Sequence, residues 1–472
     1  VSVFVWAKFP IKKRHSALKR RMSMTSKKEK TTDGLKNSGS LLPYMMVDIG
    51  LLKPYAKNAK KHPQKQIVQI AASIRKFGFI TPIVVDAQLE IIAGHGRLEA
   101  AKLLGMKQVP VVQVTNLSPA EIKAYRLADN KLTINSGFDE VLLRVEITDI
   151  IGLNADFELE TIGFETAEID LILQDDTPQQ DPADDVPALS DGPNVTKSGD
   201  LWNLGDHRVY CGDSRLAESF EVLGMSEPAH MCFTDPPFNV RVDGHVCGAG
   251  KIKHPEFAMA SGEMSVDEFI VFLAVVMSLM IQYSRNGSLH YLFIDWRHIY
   301  ELLTAAREQY SELKNICVWN KSNGGMGSFY RSKHELVAVF KNGTEPHLNT
   351  IELGKHGRYR TNVWDYAGVN QFGNQDDLKM HPTVKPVALI MDAIKDCTRR
   401  GHIVLDPFAG SGSTLIACEK TGRKARCIEY EPKYCDVIIR RWQTLTGRDA
   451  IHAVTGMTFN ETLAAQGGSD NE

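Results

Sequence analysis

Two short stretches of this 472-residue chain carry side chains whose types and spacing could do chemistry. The first is Phe233-Thr234-Asp235-Pro236-Pro237-Phe238, which follows the apolar run AHMCF. Successive prolines fix their φ angles and offer no backbone donors, so they form a rigid elbow at a strand end. Such an elbow projects the Asp235 carboxylate and the Pro236 carbonyl side by side. Two acceptors at one spot suit a primary amine. Holding both N–H bonds turns the nitrogen lone pair out of conjugation and aims it at an electrophile. Phe238 adds a face on which a planar base can stack. Taken alone, the stretch also reads as a proline-rich turn with an N-capping Asp.

The second stretch joins a strand, His402–Asp406, to a helix beginning at Leu415 through Pro407-Phe408-Ala409-Gly410-Ser411-Gly412-Ser413-Thr414. A glycine-rich turn at the carboxyl edge of a sheet lets a ligand approach the backbone closely. Nucleotides and many metabolites use such loops, so the turn alone is a weak signal. Glu429 ends the next strand, nineteen residues after Gly410, where it could accept from ribose hydroxyls. A pyrophosphate would favour GxGxxG or a loop lysine, and neither is present. The residues therefore point to a nucleoside without phosphates, with a structural glycine turn in another α/β fold as the alternative.

These stretches need a sheet to position them. From Asp200 to about Met457 apolar runs of strand length (AHMCFTD, SLHYLFID, ICVWN, LVAVF, HIVLD, KARCIEY) alternate with helical stretches such as 266–283 and 298–309. That alternation predicts a doubly wound α/β sheet. Residues 341–380, rich in Gly, Asn and Asp, read as a long irregular insertion. A smaller α/β domain is expected over 43–135. It has a helix over Gln66–Phe77, strands at IVVD, LEIIAG and VPVVQV, a helix over Arg97–Leu104, and a helix begun by the capping box Ser118-Pro119-Ala120-Glu121. Residues 136–174 read as a helical extension of that domain. The stretch 175–197, with four prolines and six acids, reads as a linker holding the main boundary.

HPTVKP at 381–386 completes a pattern. TDPPF, FAGSGST and HPTVKP together resemble the motifs of DNA amino-methyltransferases, enzymes that modify exocyclic amines of DNA bases. Their order is similar to that of the permuted beta class, and the likeness spans about 200–456. It implies a Rossmann-like, S-adenosylmethionine-dependent methyltransferase domain acting on double-stranded DNA. Asp235, Pro236, Pro237 and Phe238 would hold the target base. Asp406, Phe408, Gly410, Gly412, Ser413, Thr414 and Glu429 would form the cofactor site. Asp213, in VYCGDS, should contact the cofactor's adenine, and His381 with Lys385 should lie beside its methionine end. Arg358, Arg360 and Trp364, within the insertion 344–380, become candidate readers of DNA sequence.

In that family an initial Asp favours N6 of adenine and an initial Ser favours N4 of cytosine, so Asp235 points to adenine. The base would leave the duplex stack and its amine would attack the sulfonium methyl in line. No metal and no covalent enzyme intermediate is needed. Elbows that act on protein glutamine or RNA, and a non-catalytic DNA-binding adaptor, are the competing readings.

Residues 45–135 resemble the amino-terminal domain of ParB-like proteins, where a GxxR turn at a helix start binds phosphates, in some members those of CTP. Here the turn is Gly94-His95-Gly96-Arg97, and a helix amino terminus does favour anions. Gly96 stands where that family often has a second Arg, and no helix-turn-helix segment is evident downstream. Nucleotide binding, DNA-backbone contact and an inert turn all stay open. A homodimer is a further partnership to consider.

Composition fits these expectations. The formal charge is -2, but residues 1–36 hold eleven Lys/Arg against Glu29 and Asp33. That arm reads as a disordered basic tail able to contact polyanions. The eight cysteines form no CxxC pair, which excludes a zinc ribbon or a disulfide framework and fits a reducing cytosol. The longest apolar run, Phe269–Ile281, is thirteen residues, too short to span a bilayer.

Overall fold

The computed structural model describes residues 44–135, 137–153, 159–173, 182–187, 192–240, 262–321, 330–353, 359–368 and 384–467. The basic tail 1–42 lies outside them. The chain divides into two compact units, Val1–Ser136 and Gly137–Glu472.

The first unit contains β1 (Tyr44–Asp48), α1 (Gln64–Phe77), β2 (Ile83–Val85), β3 (Ile91–Ala93), α2 (His95–Leu103), β4 (Gln108–Gln113) and α3 (Pro119–Ile134). Its strands lie in the order β1-β4-β2-β3. Ile83, Val85, Ile91, Leu98, Val109 and Val111 form its core. The expected capping box starts α3: the Glu121 N–H donates to Ser118 Oγ at 3.4 Å, and the Ser118 N–H donates to the Glu121 carboxylate at 2.8 Å. The strand β1 was not anticipated, because YMMVD lacks a clear alternation.

The second unit opens with α4 (Glu140–Gly152) and α5 (Thr166–Ile172). A hairpin, β5 (Leu201–Leu204) and β6 (His207–Cys211), leads to α6 (Ala217–Val222) and β7 (Ala229–Thr234). Then come α7 (Val266–Gln282), β8 (Ser284–Ile294), α8 (Ile299–Ala306), β9 (Glu312–Asn320), β10 (His334–Lys341) and β11 (Val363–Asp365). The chain finishes with α9 (Val387–Cys397), β12 (Ile403–Asp406), α10 (Ser413–Thr421), β13 (Lys424–Glu429), α11 (Pro432–Thr446), β14 (Ile451–His452) and α12 (Phe459–Gly467).

Ten strands form one sheet, ordered β11-β9-β10-β8-β7-β12-β13-β6-β5-β14. Its centre, β8-β7-β12-β13-β6, is parallel throughout, as a doubly wound sheet requires. The flanks depart from that plan: β10 pairs antiparallel with both β8 and β9, and β5 pairs antiparallel with β6 and β14. The thirteen-residue apolar run lies inside α7, whose Phe269, Phe272, Leu273, Val276 and Met280 are buried against the sheet. Among the described residues, no helix is long and apolar enough to cross a membrane.

The helical stretch after Ser136, expected to extend the first domain, instead belongs to the second unit. Arg423, just before β13, donates to both carboxylate oxygens of Asp170 in α5, at 3.0 and 2.8 Å. The guanidinium is fully buried and the carboxylate nearly so. Breaking a buried pair of this kind costs about 3–5 kcal/mol, which fixes α5 on the larger unit. The end of the expected linker is likewise seated. The N–H groups of Val195 and Thr196 donate to Asp436 of α11, and both residues are buried.

Candidate active site

Four neighbouring parallel strands end in acids. Asp213 follows β6, Glu429 closes β13, Asp406 closes β12, and Asp235 follows β7. Ligands of open α/β sheets bind outside such carboxyl ends, where the strand order reverses. Thr234 Oγ1 donates to Asp406 Oδ1 at 2.8 Å, so the proline elbow and the glycine turn share a hydrogen bond. The two stretches that stood 170 residues apart are thus adjacent strand ends.

The glycine turn is built as expected. Gly412 is the N-cap of α10 in the left-handed conformation, φ 82°, which supplies no side-chain cap. A Cβ there would meet Ile438 carbons at 2.9 Å. Asp406 Oδ1 also accepts from the Phe408 N–H at 3.1 Å, and the Thr414 hydroxyl bonds the same carboxylate. Ser413 Oγ accepts from Arg441 at 3.1 Å. The Phe408 ring lies 6.0 Å from that of Phe272.

Glu429 does something that its sequence position does not reveal. Its two oxygens accept from the Gly410 N–H at 2.8 Å and the Glu431 N–H at 2.9 Å, so it braces the turn. Burial pushes its carboxyl up to about 7 and that of Asp406 up to about 6. Asp213 behaves differently. Burial acts to raise it, but hydrogen bonds from Arg215, at 2.6 to 3.1 Å, hold it below the usual carboxylate range.

At the elbow, burial pushes Asp235 up to about 6, with the Lys385 ammonium acting against that rise. Lys385 Nζ donates to Asp235 Oδ2 and lies 3.2 Å from Glu335 of β10. Lys321 pairs with Glu335 from the far side. Burial acts to strip the Lys385 proton, but the two carboxylates hold its pKa above the ordinary value. Rings of Phe293, Phe238 and Trp319 stand 5.0, 5.8 and 5.9 Å from Nζ. Among the described residues, Asp235 Oδ1 is buried with no hydrogen-bond partner. An unmet buried acceptor is costly unless a ligand donor fills it. Pro236 is buried and Pro237 half-buried beside it.

Glu335, Lys321 and Arg441 were not singled out in the sequence. Asn239 was missed too. It adopts φ 53° and ties back to Gly262 and Met264 through three hydrogen bonds of 2.8 to 3.2 Å.

The expected DNA readers fare otherwise. Trp364 is 4% exposed, stacks on Tyr291 and belongs to the core, because β11 adds it to the sheet edge. Arg360 is pinned to α9 by Asp396 at 3.1 Å and Asp392 at 3.4 Å. Neither side chain is presented as a reading surface. Arg358 and His381 lie outside the described residues, as does much of the insertion.

In the first unit, Gly94 is the left-handed N-cap of α2, φ 108°. His95 Nε2 accepts from the Tyr55 N–H at 3.3 Å, and the Arg126 guanidinium stacks 3.5 Å over the Tyr55 ring. Burial, helped by Arg126, pushes His95 down to about 4, so its ring is neutral at physiological pH. Burial also lowers Arg97, which folds back over Gly94: a Cβ there would meet its Nη2 at 3.0 Å.

Comparison with known proteins follows these divisions. Residues 229–440 match the family of N6/N4 DNA methylases, and residues 36–131 match the ParB N-terminal domain. The chain joins an N6/N4-family DNA methylase domain to a ParB amino-terminal domain. Residues 141–198 match a ParB-methyltransferase HTH domain, which corrects the expectation that no such segment follows. Its helices include α4 and α5, which read in the sequence as an extension of the first domain. The methylase is 25% identical over 229 residues to the type II methyltransferase M2.MboI of Moraxella bovis, covering 46% of this chain and 81% of that protein. It is 36% identical over 110 residues to the DNA adenine methyltransferase YhdJ of Escherichia coli, covering 23% and 34%. The ParB-like nuclease domain-containing protein YnaK of Escherichia coli is 46% identical over 67 residues, covering 14% of this chain and 77% of that protein.

Proposed function

We propose that the methylase transfers a methyl group from S-adenosylmethionine to the N6 amine of adenine in double-stranded DNA. The observation that carries this reading is the unmet Asp235 Oδ1, set beside the glycine corner by the Thr234–Asp406 hydrogen bond. An acceptor of that kind suits one N–H of an exocyclic amine, and the Pro236 carbonyl suits the other. When bound, S-adenosylmethionine supplies a methyl group on a positively charged sulfur.

The residues present fit such a group. Asp406, Glu429 and Asp213 make an acidic corner that favours a cation and disfavours phosphates. Gly410 and Gly412 both take the left-handed conformation that folds the turn. Phe238 stacks on the extruded base, Asp235 and Pro236 orient its amine, and Lys385 keeps Asp235 ionised and in place. Orientation at fixed distance supplies much of the acceleration, since the electrophile needs no further activation. The target nitrogen would have to give up one proton on methylation, and the Asp235 carboxylate is the base within reach.

Adenine is favoured by the initial Asp of the elbow. The N4 amine of cytosine offers the same two hydrogens and is the second reading, since the family spans both. We also propose that the Gly94, His95 and Arg97 corner takes a phosphate-bearing ligand of the CTP kind. Incubating the full chain with S-adenosylmethionine and duplex DNA, followed by nucleoside analysis, tests the main reading. N6-methyladenine is expected. N4-methylcytosine alone overturns the adenine assignment, and unmodified DNA overturns the activity.

A further inference from the structure

Ala183 and Asp184, in the acidic stretch, hold onto the methylase at both halves of its active site. The Ala183 carbonyl accepts from Arg441 Nη2 at 2.6 Å and Nε at 3.2 Å. Through Nη1 the same guanidinium donates to the Ser411 carbonyl and the Ser413 hydroxyl, each at 3.1 Å, inside the glycine turn. One residue on, Asp184 Oδ1 accepts from the Val387 N–H at 2.8 Å, across 203 positions of sequence.

What Asp184 caps gives that bond its consequence. Helix α9 begins at Val387, and its N-cap residue is Pro386, which makes no side-chain cap hydrogen bond. A helix leaves its first N–H groups without partners inside the helix, and a side-chain oxygen usually meets one of them. Pro386 has no such oxygen. Asp184 supplies it from the linker, and its negative charge lies at the positive end of the helix. Lys385 immediately precedes Pro386. Fixing Val387 therefore fixes the backbone two residues from the ammonium that holds Asp235.

The geometry points to Asp184 as a positioning residue for methyl transfer, a cap lent by the linker that keeps Lys385 on Asp235. Its neighbour Ala183 braces the glycine turn through Arg441, so one short stretch serves the elbow and the cofactor corner together. The inference rests on the methyl-transfer reading above.

The test compares full-length wild type, D184A and D184N at saturating S-adenosylmethionine and duplex DNA from pH 5 to 9, with thermal melts alongside. D184A is expected to lower kcat about tenfold, because the reacting groups lose alignment. It should also move the acid limb of the pH–rate profile upward. Asp235 is faced by Lys385 ahead of α9, by Glu335 of β10 with Lys321 behind it, and by Asp406 of β12. With the ammonium displaced, the remaining near neighbours are carboxylates, which hold the proton on Asp235 to higher pH. D184N keeps an acceptor oxygen and should restore most of kcat and return the limb. Wild-type kcat and limb in D184A overturn the inference. So does a rate loss that tracks the unfolded fraction with an unmoved limb, which marks a merely structural residue. Equal impairment in D184N and D184A overturns the capping account. A wild type that leaves DNA unmethylated fails at the earlier step and brings down both readings, so the two failures are told apart.

Discussion

Gly94 and Gly412 hold equivalent places in two corners of the molecule. Each follows a strand, stands in the left-handed conformation, and caps a helix with no side-chain oxygen, at φ 108° and ψ 22° in one and φ 82° and ψ 21° in the other. The N–H groups that such a corner exposes favour negative charge in both cases. The side chains then diverge. Around Gly94 stand Arg97, Arg126, His62 and a neutral His95, with Glu99 and Asp129 near them and Glu90 paired to Arg126. Around Gly412 stand Asp406 and Glu429, with Asp213 at the neighbouring strand end. The proposed phosphate ligand suits the first corner and the proposed cationic ligand suits the second. The lesson is that a glycine corner sets how near a ligand can come, while the titratable groups beside it set which charge is welcome.

The largest expected effect separates chemistry from either corner. D235A should lower methyl transfer by about a thousandfold or more, since orientation of the amine is lost. Binding of S-adenosylmethionine, read by calorimetry, should stay near wild type. If D235A still methylates DNA at a substantial rate, the elbow is not the amine site.

A smaller effect pits the corners against each other. E429Q puts an amide where one of two backbone N–H groups needs an acceptor, at a cost of about 1.5–3 kcal/mol for a charge-assisted bond. That cost falls on the turn and limits the loss of S-adenosylmethionine affinity to at most roughly tenfold to a hundredfold. R97A should weaken CTP binding by about tenfold, and neither variant should move the other ligand's affinity more than about twofold. Cross-effects of similar size would break the claim that the corners are independent.

The corners should also differ in their response to pH. Asp406 and Glu429 titrate near 6 and 7 because burial favours their neutral forms. A cationic ligand prefers them ionised, so S-adenosylmethionine should bind several-fold more tightly at pH 8 than at pH 6, with protons released on binding. The ligand-free chain should show the opposite trend. A carboxyl whose folded pKa exceeds its unfolded value of about 4 contributes stability below that value and loses it as pH rises through 6 to 7. His95, pushed down to about 4, stays neutral across this range. Binding of S-adenosylmethionine that is flat with pH would remove the acidic corner's role.

Much of this contrast was legible in the sequence, for a definite reason. The Asp-Pro-Pro-Phe elbow and the two glycine turns are local: their conformations follow from neighbouring residues, as do the capping box at Ser118 and the buried run of α7. What escaped reading depends on distant partners. Glu335 meets Lys385 fifty residues on. Asp170 finds Arg423 across 253 positions, so α5 joined a unit other than its sequence neighbour. Trp364 looked like an exposed reader because its surroundings are polar in sequence. The sheet edge nonetheless buries it, with β11 pairing in parallel to β9.

The smallest effect concerns the glycines themselves. Alanine in the left-handed conformation costs about 1–2 kcal/mol wherever it stands, so G94A and G412A share that loss. Their surroundings then separate them. The new methyl of G94A would meet Arg97 at 3.0 Å and the buried Ile83 Cγ1 at 3.3 Å, a milder set of contacts. The methyl of G412A would meet Ile438 carbons at 2.9 Å, and that β-branched side chain is fully buried under α10. G412A should therefore lower the thermal unfolding midpoint of the full chain more than G94A, and should weaken S-adenosylmethionine binding as the turn shifts. Equal losses would mean that Ile438 yields as readily as the half-buried Arg97. The second corner would then be less tightly built than its distances imply.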